Sequence, residues 1–600
     1  MDKYQTLYEI KSPQDIKNKT IKELNELANL IREFIIDKVS EHGGHLSSNL
    51  GVIEACIALH YVFDSPKDKI IFDVGHQCYT HKILTGRSKD FDNLRKLDGL
   101  NGFPKYSESE HDVYETGHSS TAISALCGFL EGKKQDPENI RNVIAFVGDG
   151  AMQSGVSLAG INYLATMSTQ KGIVILNDNE MSISQNVGGL AKTFTKLRIK
   201  RSFKLVRKLT TVGMRERIKA VLYRNVNFFN QLKYNYLGPI DGHNIEEMVK
   251  YFRYAKKSSS STVIHIKTIK GKGYNFAEND KTGYYHGLGA FDKETGKVLS
   301  NNNDNEISFS SAVAQNLDKL FEKYNNVEII SPAMIYGSGL SDLQNKYPNR
   351  VLDVGICEEN SVIMASSLSM CNTIPIVATY STFIQRSYDE IEHDVARSDS
   401  HVVFLLDRAG IVPNDGDTHQ GIFDIPMFNT LPNMIITAPS NYDEIYELLE
   451  MSIKVSHPFV IRYPKCKINL NNPNTIKTEF GKWKIILGIK DKNIITYGNN
   501  VNEFKDSIIK YNKDVGLINS LFIKPIDLDL LKSLNNTELI VYEDCYYENS
   551  LSSKLIEAIY DNNLNIKITK YNLKEIPSSG SIKELRDKYN LNIEKIVEDL

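Results

Sequence analysis

Residues 143–155 read VIAFVGDGAMQSG. Val143 to Val147 form a short, unbroken apolar run, the pattern of a strand buried on both faces of a parallel sheet. The run ends in an aspartate, Asp149, held between Gly148 and Gly150. Ligands of parallel α/β sheets bind at the carboxyl ends of strands, so this carboxylate stands at a ligand-binding edge, at the turn into a helix starting near Gln153. The two glycines predict unusual φ and a close backbone approach. The helix start favours a phosphate. A carboxylate and a phosphate share a site when a cation lies between them, and Mg2+ asks for more oxygen ligands in near-octahedral geometry.

A second strand end supplies those oxygens. Residues 172–184, GIVILNDNEMSIS, read as another buried strand ending in Asn177-Asp178-Asn179. Asn179 lies 30 residues after Asp149, about one strand–helix–strand unit. Asp149 and Asn179 are therefore candidate side-chain ligands of one metal, with the Met181 carbonyl as a third. GDG alone fits a tight turn with a solvated aspartate. Followed at this spacing by NDN, it resembles the diphosphate–metal motif of thiamine-diphosphate enzymes.

Outward from this pair, strand-like and helical stretches alternate. Thr20 to Glu23 form a capping box opening an amphipathic helix with Leu24, Leu27, Ile31 and Ile35 on one stripe, ending at Gly43-Gly44. Strand-like runs follow in KIIFDVG, NVIAFVG, GIVILN and STVIHIKT; then, beyond a polar linker at 301–308, in VEIIS, RVLDVGI, IPIVATY, HVVFLL and NMIITAPS. After PKCKINLNNPNT come KIILG, NIITYG, DVGLINS and ELIVYED. Three such series predict three successive doubly wound α/β domains with mainly parallel sheets, at 1–300, 305–470 and 476–600.

Composition narrows the function classes. The 600 residues carry a net charge of -3, which gives no reason to expect a nucleic-acid or membrane partner. A basic stretch from Lys192 to Lys219 reads as a solvated helical excursion, with Phe194 and Phe203 its only aromatics. No apolar run reaches the ~20 residues of a membrane helix, and the N-terminus lacks a signal pattern. Seven scattered cysteines without a CxxC suggest reduced thiols in a cytoplasm.

Two further signals point to chemistry. Glu358, in DVGICEEN (353–360), follows a strand in the second series; as an isolated residue it fits an ordinary surface acid equally well. Seven of the fourteen histidines fall in the first 120 residues, five of them in glycine-bearing turns: EHGGHLSSNLG, DVGHQCYTHKILTGR and YETGHSST. Each could be a satisfied structural histidine, and His42 with His45 could be read as a zinc pair lacking cysteine partners. Three Gly-His turns together suggest one cleft that binds phosphates and handles protons.

The ordered set GGHLSSNLGVIE, FDVGHQCYTHKILTGR, GLNGFPK with SESEHD, TGHSS, GDGAMQSG, NDNEMSIS, GPIDGHN, KGKGYNFAE, YSTFIQRSYDEIEHDVA, DRAGIVPNDGDTHQG and RYP resembles the 1-deoxy-D-xylulose-5-phosphate synthase family of transketolase-like thiamine enzymes over nearly the whole chain. The resemblance implies a transferase that condenses pyruvate with D-glyceraldehyde 3-phosphate, releases CO2 and gives 1-deoxy-D-xylulose 5-phosphate, the first step of non-mevalonate isoprenoid synthesis and a feed for thiamine and pyridoxal. It implies thiamine diphosphate and Mg2+ as cofactors, and a homodimer. Domain 1–300 would bind the diphosphate and metal, 305–470 the pyrimidine ring, and 476–600 would be the C-terminal transketolase-like domain.

Carried over by motif, the resemblance gives His76 and Gly117-His118-Ser119 cofactor contacts. Asp149, Asn179 and the Met181 carbonyl would hold Mg2+, while Gly150 and Ala151 hold the diphosphate. Tyr274 closes on the cofactor. Glu358 activates the aminopyrimidine, and His45 and His286 face the reactive carbon. Arg408 and Arg462 meet the acceptor phosphate through their forked donors, with Tyr380 and His419 nearby and Asp415 and Arg386 in support; His419 also counts among the catalytic residues.

Some positions depart from the family. Cys357-Glu358-Glu359-Asn360 stands where Ala-Glu-Gln-His is common. VYEDCYYENSLSS (541–553) lacks the glycines usual after that strand, a loop expected to lie away from the chemistry. The chain is also slightly short after residue 200. Two rival readings stay open: another transketolase-type enzyme using a ketose donor, and a non-catalytic paralogue on the same scaffold.

Overall fold

The computed structural model describes residues 2–181, 187–190, 228–299, 305–470 and 476–600; the basic stretch 192–219 lies outside them. The chain parts into two compact units, Met1–Ser300 and Asn301–Leu600.

In the first unit five strands form one all-parallel sheet. They are β1 (Lys69–Phe72), β2 (Val143–Gly148), β3 (Ile173–Asp178), β4 (Asn235–Asp241) and β5 (Thr262–Lys267), in spatial order β1-β2-β3-β5-β4. Successive strand residues point to opposite faces, and the core divides accordingly. Phe72, Ile144, Phe146 and Ile175 pack with the helix Ile21–His42 in one cluster. Ile71, Ala145, Val147 and Leu176 pack with the helix Ala122–Gly132 in the other. Apolar layers on both faces are what turned these strands into unbroken apolar runs. The helix Ile21–His42 begins at the expected capping box, the Thr20 amide donating to Glu23 at 2.7 Å, and stops where Gly43 takes φ 77°. β4 was not foreseen: it lies at the sheet edge and contains Gly238-Pro239, residues that weaken a strand signal and are tolerated there.

Among the described residues the second unit holds three sheets. β6 (Glu306–Ser308) pairs antiparallel with β13 (Lys467–Asn469), so the stretch expected as a linker at 301–308 ends in a strand. The large sheet contains β7 (Val327–Ser331), β8 (Val351–Asp353), β9 (Ile374–Tyr380), β10 (Val403–Asp407), β11 (Ile435–Thr437) and β12 (Phe459–Arg462), all parallel, plus the antiparallel β17 (Phe522–Lys524). Its order is β17-β11-β12-β10-β9-β7-β8. The last sheet contains β14 (Lys484–Leu487), β15 (Lys492–Thr496), β16 (Gly516–Asn519), β18 (Glu538–Tyr546) and β19 (Lys567–Leu573), ordered β14-β16-β15-β18-β19 and parallel except for β14. Because β17 joins the large sheet, one apolar core runs without a break from Phe309 to Leu555.

Candidate cofactor and acceptor sites

β2 and β3 are neighbours in register, Gly148 opposite Asn177. Asp149 and Asn179 thus leave adjacent strand ends on the same sheet edge. Asp149 is 1 % exposed, and its two carboxylate oxygens accept from the Gly150 amide (3.0 Å) and the Glu180 amide (2.9 Å). The Asn179 side-chain oxygen accepts from the Met181 amide at 3.1 Å. The two bonds to Asp149 orient its carboxylate at the strand end.

The flanking glycines act differently from expectation. Gly150 has φ −64° and ψ −48°, ordinary right-handed values, and Gly148 is plain strand. A Cβ on Gly148 would meet nothing within 4 Å: the missing side chain leaves open space at the strand end. The helix also begins later than expected. Ala151–Gln153 is a single tight turn, and the helix proper is Gly155–Leu164. An oriented carboxylate, an amide oxygen on the next strand and open space beside Gly148 fit a metal-bound diphosphate.

The TGHSS turn reaches this edge through Asp73, a residue overlooked in the sequence. Asp73 follows β1 and accepts from the Ser120 amide at 2.7 Å and the Ala122 amide at 3.1 Å. The Ser120 hydroxyl donates to the Ala151 carbonyl at 3.2 Å, which ties Gly117-His118-Ser119 to Gly150-Ala151. Ser120 sits at φ 80°, and the two carboxylate bonds hold that turn. Asp73→Ala strands two buried N–H groups, at about 1–3 kcal/mol each. Thermal unfolding of the variant should show a loss of roughly 2–4 kcal/mol; an unchanged melting temperature would remove the clamp from the account.

Two of the Gly-His turns bring their histidines together: His45 and His76 gather, joined by His286. The ring centres of His45 and His76 lie 5.6 Å apart, those of His45 and His286 5.8 Å, and those of His76 and His286 5.0 Å. Asn49 links two of them: its amide donates to the His45 carbonyl (2.7 Å) and the His76 carbonyl (2.8 Å). His60 and His81 are elsewhere, a fully buried pair bonded at 2.9 Å. Tyr274 is 8 % exposed. Its hydroxyl donates to the Lys293 carbonyl at 2.9 Å, and its ring meets Tyr285 and Phe291 edge-on or tilted. It is anchored in an aromatic cluster of the first unit. Lys270, four residues earlier, is also buried; burial pushes its ammonium down to about 8, against the pull of Asp280 and Asp149.

In the second unit Glu358 is the first residue of the helix Glu358–Ser369 and is 5 % exposed. The turn before it is set by Asp353, which accepts from the Gly355 amide at 2.9 Å. Burial pushes the Glu358 carboxyl up, while the Arg386 guanidinium, 3.3 Å away, pulls it down. Arg386 thus stands with Glu358. The neighbouring Cys357 thiol is pushed up to about 11, by burial first and then by Glu358 and Glu359.

Tyr380 and Asp407 end the paired strands β9 and β10 and lie opposite each other. Arg408 follows at φ 55°, its guanidinium carbon 4.1 Å from the Tyr380 ring centre and its Nη1 3.3 Å from Asp415. Phe383 stacks on Tyr380 at 5.4 Å and meets His419 edge-on at 5.6 Å. Tyr380, Arg408, Asp415 and His419 therefore form one cluster, with Phe383 as an unforeseen member. Arg462 ends β12, opposite Leu406 of β10. It is 4 % exposed; its Nε donates to Asp424 at 2.7 Å and its Nη1 lies 3.7 Å from Asp544. Its Nη2 has no hydrogen-bond partner.

The loop of residues 541–553 corrects an expectation. Asp544, near the end of β18, packs so closely on Gly410 that a Cβ there would fall 2.1 Å from its carboxylate. With its approach to Arg462, this places the segment against Gly410 and Arg462, not away from the expected acceptor residues. Gly410, at φ 80°, is the reason the contact is possible.

Parallel α/β sheets with these strand-end residues define a transketolase-type protein. The family models agree: residues 7–268 match 1-deoxy-D-xylulose-5-phosphate synthase, 305–470 the transketolase pyrimidine binding domain, and 481–596 the transketolase C-terminal domain. The 1-deoxy-D-xylulose-5-phosphate synthase of Clostridium acetobutylicum is 40% identical over 99% of this chain and 98% of its own, and that of Clostridium tetani 39% identical over 100% and 99%. The chain belongs to the 1-deoxy-D-xylulose-5-phosphate synthase family. A solved transketolase from Campylobacter jejuni is 17% identical, covering 97% of this chain and 99% of its own with a TM-score of 0.43.

Proposed function

We propose that this chain condenses pyruvate with D-glyceraldehyde 3-phosphate, releasing CO2 and forming 1-deoxy-D-xylulose 5-phosphate, with thiamine diphosphate and Mg2+ as its cofactors. Asp149, Asn179 and the Met181 carbonyl hold the metal. Gly150, Ala151, Gly117-His118-Ser119 and His76 receive the diphosphate, and Tyr274 supports the loop beside it. Bound thiamine diphosphate supplies the carbon nucleophile and the electron sink for decarboxylation. Glu358, with its carboxyl raised by burial, is suited to share a proton with the aminopyrimidine ring. His45, His76 and His286 form a cluster able to move protons near the reacting carbon. Arg408, preset by Tyr380 and Asp415, takes the acceptor phosphate with Arg462, whose Nη2 offers a buried donor. His419 serves the acceptor's oxygens, and Arg386 tunes Glu358.

The division of labour follows 1–300 for diphosphate and metal, 305–470 for the pyrimidine ring and acceptor, and 476–600 for buttressing that site. The protein works as a homodimer in the cytoplasm. No disulfide joins any two of the seven cysteines, as suits a reducing compartment, and no helix among the described residues is long and apolar enough to cross a membrane.

The adjacency of Asp149 and Asn179 on paired strand ends is the observation behind this reading. Its test is CO2 release from pyruvate with and without D-glyceraldehyde 3-phosphate, with product analysis. Release stimulated by the acceptor and stoichiometric with 1-deoxy-D-xylulose 5-phosphate is expected. Turnover of a ketose phosphate donor in place of pyruvate would assign a different transferase activity.

A further inference from the structure

The motif GLNGFPK-YSESEHD has no role in the chemistry above, yet its residues meet in an unusual way. The loop Asn101–Lys105 is held at both ends by carboxylates from the segment just after it. Glu108 accepts from the Asn101 amide at 2.6 Å, and Asp112 accepts from the Lys105 amide at 2.8 Å. Between the ends, the Asn101 side chain accepts from the Phe103 amide at 2.9 Å. The carboxylates are themselves fixed from behind. Arg87 grips Asp112 with two nitrogens, at 2.7 and 2.8 Å, and His81 meets it at 2.8 Å. Lys82, with no side-chain exposure, pairs with Glu108. Asp112 is 2 % exposed, and the Glu108 side chain 16 %.

Buried charges cost several kcal/mol of desolvation unless well paired, and a loop tip alone would not need them. What the loop presents is Phe103, 2 % exposed, whose ring centre lies 5.3 Å from that of His45 in an edge-on contact. The Tyr79 hydroxyl adds a second support, accepting from the His45 amide at 3.2 Å. We propose that Glu108 and Asp112 are positioning residues: a carboxylate clasp that fastens both ends of the loop and holds Phe103 as the backstop of the His45 ring. The clasp rests on the assignment of His45 to the reaction. Its physical content is preorganisation: a ring held within about half an ångström of the productive pose reacts without a search.

The experiment uses the full-length protein loaded with thiamine diphosphate and Mg2+, and compares Glu108→Gln, Phe103→Leu, the double variant and His45→Asn. The readouts are kcat and KM for pyruvate, thiamine diphosphate affinity, and amide hydrogen exchange of residues 101–105. Glu108→Gln should lower kcat about 10- to 30-fold, as misplacement of a group by ~1 Å can do, leave cofactor affinity within threefold, and speed exchange in the loop. Phe103→Leu should give a similar kcat loss with slow exchange retained. The double variant should lose little more than either single one, since both act through one contact. Losses that multiply, or a wild-type kcat in Phe103→Leu while His45→Asn is inactive, would overturn the clasp. A fully active His45→Asn would overturn the assignment of His45 instead. Should Glu108→Gln not fold, Phe103→Leu still decides between these outcomes, because it leaves both carboxylates in place.

Discussion

Glu358→Ala is expected to lower acceptor-stimulated CO2 release by about 10²- to 10⁴-fold, the usual worth of a positioned proton-transfer group, with little change in folding. The side chain is the first of its helix, almost wholly buried, and held against Arg386. Its charged form is disfavoured by burial, so stability gains little from the carboxylate and loses little without it. Glu358→Gln keeps the shape and removes the exchangeable proton, so it should be nearly as inactive as the alanine variant. A pH signature separates this role from a structural one. The folded-state pKa is raised, so between the unfolded and folded values the native protein holds the extra proton. Its contribution to stability is then present at low pH and is lost as pH rises through the raised value. The wild type should show that falling slope above the ordinary glutamate range, and Glu358→Gln should lack it in matched thermal-melting curves. Full activity in either variant would contradict the assignment.

The sheet edge was legible in the sequence because both faces of β2 and β3 are covered, which forces continuous apolar runs and makes the strand ends easy to find. The adjacency of Asp149 and Asn179 followed from one short crossover. What stayed hidden was held by distant pairing. Asp73 earns its place through amides 47 and 49 residues later, and Asp544 through a glycine in another motif; neither spacing has a period to read. The edge strand β4 is only partly buried and interrupted by Gly238-Pro239, and β17 spans three residues, so each carries too little apolar signal. Of the two reasons expected for the glycines around Asp149, unusual φ does not hold at Gly150, while open space does at Gly148: composition reveals that a side chain is absent, but not which of the two requires it. Arg386 shares a motif with Tyr380, and its 3.3 Å approach to Glu358, 28 residues earlier, has no period to read in the sequence. Of the histidine turns, His45 and His76 gather with His286, while His81 pairs with His60 in the core, a distinction that burial makes and sequence spacing does not.

The claim on which the rest depends is that the ends of β2 and β3 offer oxygens to one Mg2+ that clamps a diphosphate. The direct measurement is a titration of thiamine diphosphate into the metal-free protein, with and without Mg2+, in the wild type and Asp149→Ala, followed by protein fluorescence or calorimetry. In the wild type, Mg2+ should tighten binding strongly. In Asp149→Ala, removal of a ligand should weaken Mg2+-supported binding by at least about 100-fold, while far-ultraviolet circular dichroism stays that of the folded chain. A folded Asp149→Ala protein that binds thiamine diphosphate as tightly as the wild type, with the same dependence on Mg2+, would contradict the account.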